Sequence, residues 1–183
     1  MANSTARPDQ SRHAYTLVEV LVVVVILGIA AALAAPSMGQ AGVLRIQAAV
    51  RTVVADITFA QMDALGYQEQ RAIVFDIDKN EYTLVQVNGS IVDPENDALY
   101  DPRGADQRYR VSLNAEVFGG TVIESVEFDG DNVLIFDEMG GPVATPGSST
   151  LSQGGSITLA GPLSRFRVDV AAFTGRVTVT RLD

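Results

Sequence analysis

The sequence predicts an α+β fold in which one long N-terminal helix packs on a C-terminal antiparallel β domain, a small sandwich. Three observations carry this. Residues 20–44 hold no charge and are mostly apolar. From Val43 to Ala64, apolar positions recur every three or four residues, the period of an amphipathic helix. From Arg71 onward the period drops to two, in short runs separated by Gly, Pro, Asn and Asp, which is the pattern of strands and tight turns.

Residues 1–14 are polar, with Arg7 and Arg12 against Asp9, and read as a leader ahead of the apolar stretch that opens at Tyr15. The densest apolar part, residues 20–35, would make a helix of about 24 Å at ~1.5 Å per residue, a little short of a membrane span. Adding residues 15–18 and 37–44 brings it to membrane thickness and includes Glu19 near one end. A carboxylate inside a membrane helix costs on the order of 2.5–3.5 kcal/mol at the centre. Glu19 therefore either sits at the interface, where it reaches water, or has a purpose that offsets this cost.

The run Ala14-Tyr15-Thr16-Leu17-Val18-Glu19-Val20-Leu21 resembles the cleavage region of type IV prepilins and type II secretion pseudopilins. In that family a small residue, an aromatic, Thr, Leu and a fifth-position Glu open an apolar helix. The resemblance implies cleavage between Ala14 and Tyr15 by the prepilin peptidase, methylation of the new amino terminus at Tyr15, and assembly through the N-terminal helix. Counted from Tyr15, Pro36 falls at the family's helix-kinking proline. The family residue before the cut is usually glycine, and this chain has Ala14 there. The family's use of Glu19 has a physical basis: in an apolar filament core its carboxylate neutralises the amino terminus of a neighbouring Tyr15, and only in the correct axial register. A rival reading is an ordinary secretory signal, because Ala32-Leu33-Ala34 fits a small-residue cleavage site behind a basic segment and an apolar run.

Four segments follow: a leader over 1–14, a transmembrane or filament-core helix half over 15–44, an amphipathic helix half over 45–67, and a globular β domain over 68–183. In the amphipathic half, Val43, Ile46, Val50, Val53, Ile57, Ala60 and Ala64 form the stripe on which the domain packs, with Arg45, Arg51, Asp56 and Asp63 between them. Gly66 supplies a stop near Leu65. The two halves together would make about 50 residues, interrupted near Pro36, Gly39 and Gly42. Strands are expected at 72–77 and 82–87, a hairpin turning through residues 78–81, and then at 109–113, 121–128, 132–136, 156–159, 164–170 and 176–181. Asp76, Asp78 and Asn80 imitate the start of a calcium loop, but Glu81 stands where its glycine belongs and Val87 where its last Glu belongs. Residues 93–107 read as an exposed loop and 140–155 as a long mobile connection without the ending of a phosphate loop.

The closing region carries a second resemblance. Phe136 with Gly140 and Gly141, then residues 156–159, then 166–170 leading into Phe173-Thr174-Gly175-Arg176-Val177-Thr178-Val179, is similar to the end of the GspH/FimT family of minor pseudopilins and minor pilins. Gly175 has a direct reason, since a tight turn between strands needs a residue tolerant of positive φ.

Composition narrows the function. The formal charge is 13 − 22 = −9, a poor balance for gripping a phosphate backbone. Cysteine is absent, His13 is the sole histidine and Lys79 the sole lysine. If processing removes the leader, the mature chain has no His and no Cys, which excludes Ser-His-Asp and Cys-His catalysis and His-ligated zinc. The expected protein is a structural subunit with no catalytic residue, no cofactor and no metal. The implied partners are other pilin or pseudopilin subunits, the peptidase, the assembly platform and the inner membrane, with the globular domain in the periplasm. Two other readings stay open. One is a DNA-capturing minor pilin using Arg165, Arg167, Arg176 and Arg181. The other is a tethered hydrolase with paired carboxylates, for which no constellation speaks.

Overall fold

The structure is a computed structural model that describes residues 16–34 and 37–182, with side chains over 16–32 and 42–182. Ala14, Tyr15 and Pro36 lie outside the described residues. The chain divides into two units, residues 1–38 and 39–183.

The first unit contains α1 (Leu17–Ala34), 18 residues and about 27 Å long. The hydrocarbon core of a bilayer is roughly 30 Å thick. No helix among the described residues is long and apolar enough to cross a membrane.

The second unit is built on α2 (Ser37–Tyr67), which is 31 residues long and begins before the unit boundary. The helix passes through Gly39 and Gly42 without a break, so the expected interruption does not extend to those positions. Nor does Gly66 end it. Gln68 takes φ 54° and the amide of Glu69 donates to the carbonyl of Ala64, closing the helix one turn back, as glycine more often does. Ile46, Ala49, Val50, Val53, Ile57, Ala60 and Ala64 are buried, which is the predicted stripe with Ala49 added and Val43 at its margin.

Nine strands follow among the described residues: β1 (Arg71–Asp76), β2 (Glu81–Gln86), β3 (Arg110–Ser112), β4 (Val122–Phe128), β5 (Val133–Phe136), β6 (Pro142–Val143), β7 (Gly154–Ala160), β8 (Arg165–Ala171) and β9 (Val177–Arg181). They form two antiparallel sheets, β3-β2-β1-β5-β6 and β4-β7-β8-β9. The eight expected strands all occur, with ends shifted by one or two residues. The ninth, β6, and the first residues of β7 lie in the stretch expected to be one long connection. That stretch is also pinned: the side chain of Gln70 donates to the carbonyl of Ser148 at 3.0 Å and accepts from the amide of Gly147 at 2.8 Å.

One core joins α2 to the inner faces of both sheets, with Ile73, Phe75, Tyr82, Leu84 and Phe136 from the first and Ile123, Phe128, Ile157, Phe166 and Val168 from the second. The first sheet is buried on its other face as well. Ala72, Val85, Val87, Ile135 and Val143 form a second cluster there, and Val92, from the loop after β2, packs against this outer cluster.

Candidate functional site

The site that the sequence singles out begins at Thr16. Its hydroxyl accepts a hydrogen bond from the amide of Glu19 at 3.2 Å, and its carbonyl accepts from Glu19 and Val20. Thr16 thus caps α1 and Glu19 stands three residues later, the spacing of a capping box. A carboxylate in the first turn also complements the positive end of the helix dipole, so Glu19 has a local reason for its place. Behind it α1 offers an exposed apolar surface all round, from Leu17 to Ile29, with Glu19 as its acidic residue. A contiguous apolar surface of this extent marks a contact site.

In the second unit the polar side chains collect in places that the sequence did not mark. Asp56 was expected on the wet face of the helix and is buried instead. Its carboxylate accepts from the Tyr82 hydroxyl at 2.5 Å and from the Tyr109 hydroxyl at 2.8 Å. Burial pushes its pKa up, the two hydroxyls pull it back, and the net direction is upward. Burial beside this carboxylate raises both phenols above their ordinary range. The three residues come from α2, β2 and the approach to β3, separated by 26 and 27 positions, so no local pattern announces them. Asp63 likewise leaves the polar face, receiving the Nε of buried Arg71 at 2.5 Å, while Glu69 takes the same guanidinium at 3.0 Å.

The loop expected at 93–107 is organised by Glu95, whose two oxygens meet Arg108 and Arg110 at 2.8 Å each. Residues 105–107 form a single 3₁₀ turn. Asp76 holds the hairpin turn through the amide of Lys79 at 2.9 Å, and Asp129 holds Ser152 and the amide of Gln153. Both acids are thus engaged by the chain itself. Among the described residues no group of three or more His, Asp or Glu side chains is arranged to hold a metal ion.

The arginine stripe is formed in part. Arg165 and Arg167 share the exposed face of β8, but Arg165 pairs with Glu124 at 3.3 Å and Arg167 with Asp169 at 3.0 Å. Such pairing offsets the charge a nucleic-acid backbone would need. Gly175 has the positive φ expected of it, 62°, and its open side faces Gln61 and Phe136.

No curated protein sequence matches this chain. The solved structure of the minor pseudopilin EpsH from the type 2 secretion system of Vibrio cholerae is similar at 10% identity, over 75% of this chain and 97% of that one, with a TM-score of 0.49. That likeness is too slight to carry a function across. Residues 9–35 match the prokaryotic N-terminal methylation motif, a span that takes in Ala14, Tyr15 and Glu19. The chain thus carries, at its N terminus, the methylation motif of prepilin-type proteins.

Proposed function

We propose that the protein is a minor pseudopilin or minor pilin, a non-catalytic structural subunit of a type II secretion pseudopilus or a type IV pilus. The observation that carries this reading is the methylation motif over residues 9–35, with Glu19 in the first turn of an otherwise apolar helix. In this reading the leader 1–14 is removed by prepilin peptidase after Ala14, Tyr15 is methylated, and the subunit waits in the inner membrane with its β domain in the periplasm. Residues beyond both ends of α1 complete the span, and Pro36 bends the helix where the apolar half meets the half that packs on the domain. The assembly platform then moves it into a periplasmic or surface filament.

Glu19 is the assembly residue. Leaving the membrane for a fibre, its carboxylate meets the positive amino terminus of a neighbouring subunit's first residue, and a subunit shifted along the axis leaves both charges unpaired in an apolar core. Glu19→Ala should therefore leave the leader cleavable and the β domain folded, while incorporation into filaments falls steeply. Unchanged incorporation of Glu19→Ala would remove this role.

The DNA-capturing reading is less well supported, because Arg165 and Arg167 are engaged by Glu124 and Asp169. A gel shift of the full chain that weakens steeply with salt would revive it.

A further inference from the structure

We propose that the open edge of β9 pairs with β9 of a second copy, joining two four-stranded sheets into one of eight strands. The contrast among the four sheet edges motivates this. Proteins ordinarily blunt exposed edges, since unpaired amides and carbonyls recruit other strands. Here β3 has only three residues, β6 has two and contains Pro142, and β4 is broken by a register shift between Ile123 and Ser125. The fourth edge has none of these devices. β9 reads Val177-Thr178-Val179-Thr180-Arg181, four of its five residues are β-branched, and its register with β8 is unbroken.

The main chain of this edge is oriented for addition. The amide of Leu182 donates to Arg165 and the amide of Ala171 donates to Arg176, so β9 positions of even number face β8. By the alternation of antiparallel ladders, the main-chain groups of Val177 and Val179 then face away from β8, where the sheet has no further strand among the described residues. Val179 lies opposite Val168 on the inner face of the sheet, yet Val168 is fully buried and Val179 is 46% exposed. The inner face is therefore unfinished at this edge.

A second copy fits because the strand is self-complementary. An antiparallel pairing centred on Val179 sets Val179 against Val179, Thr178 against Thr180 and Val177 against Arg181. Matched Thr and Val pairs of this kind stabilise antiparallel ladders. Arg176 and Arg181 point to opposite faces, so the seam brings no like charges face to face. A five-residue seam is small against the ~1,200 Å² of a stable interface, so the contact needs concentrated copies. It involves the second unit alone and does not depend on the proposed processing of the N terminus.

The absence of cysteine allows a direct test with single-cysteine variants of the full-length chain, concentrated in detergent and mildly oxidised. In the proposed register the two Val179 positions are about 5.5 Å apart, within disulfide reach, whereas two Thr178 positions are roughly 8 Å apart. Val179→Cys should give about tenfold more covalent dimer than Thr178→Cys. The double variant Thr178→Cys with Thr180→Cys should also crosslink. Adding Val179→Pro should abolish that crosslink, since this proline removes an outward amide and leaves the bonds to β8 intact. Equal yields from Val179→Cys and Thr178→Cys, monomers throughout, or crosslinking that survives Val179→Pro would each overturn the proposal.

Discussion

Asp56 and Tyr82 are joined by a 2.5 Å hydrogen bond inside the core, where α2 crosses β2. Tyr109 completes the arrangement from outside, so one carboxylate ties the helix to two points of the first sheet. Truncating Tyr82 to Phe removes one of two donors from a buried acid, and loss of a partner to a buried charged group costs about 1–3 kcal/mol. Chemical denaturation of Tyr82→Phe should show a loss of this size, with an unchanged m-value.

The same carboxylate makes stability depend on pH. Its folded pKa lies above the unfolded value, so the stability it contributes is fully present below pH ~4 and is lost as pH rises through the folded pKa. Asp56→Asn keeps an acceptor for Tyr82 and removes the titration. Comparing denaturation curves of the two proteins from pH 4 to 7, the wild type should lose stability relative to Asp56→Asn as pH rises. Parallel curves would show that the carboxylate is not held in the way described.

Arg71 is buried at the start of β1 with Asp63 and Glu69 as its partners. Removing one side of a buried pair leaves the other charge uncompensated and costs about 3–5 kcal/mol. Glu69 is half exposed and Asp63 is not, so Asp63→Ala should destabilise the domain more than Glu69→Ala. Thermal melts of the two variants check the order.

Gly175 is required twice over. Its φ of 62° disfavours any side chain, and a Cβ there would lie 2.6 Å from Nε2 of Gln61 and 3.0 Å from Phe136. Gln61 is not free to retreat, because that amide nitrogen donates to Gly140 at 2.7 Å and to Thr174 at 3.0 Å. Gly175→Ala should therefore cost about 2 kcal/mol, more than the ~1 kcal/mol of backbone strain alone. Gln61→Ala in the same chain should recover part of the difference.

Periodicity made the helix stripe legible because buried positions on a helix repeat whatever they pack against. Val50, Val53, Ile57 and Ala60 are buried, as that repeat predicts. The strands were legible for the same reason, and Gly175 announced its turn. What stayed hidden was polar and long-range. Asp56 and Asp63 sit beside the stripe at spacings that usually mean solvent, and only partners 26 and 8 residues away draw them inward. The covered outer face of the first sheet was hidden too, since Val85 and Ile135 are buried by segments whose own sequence is loop-like. At the N terminus the methylation motif was readable residue by residue, because it is a local sequence pattern rather than a fold.

Under the proposed processing the mature protein begins at Tyr15. Intact mass and amino-terminal sequencing of the protein from its native envelope should give a chain that begins at Tyr15 and carries one added methyl group. A chain beginning at Ala35, the product of ordinary secretory cleavage, or one that keeps the leader through Ala14, would contradict it.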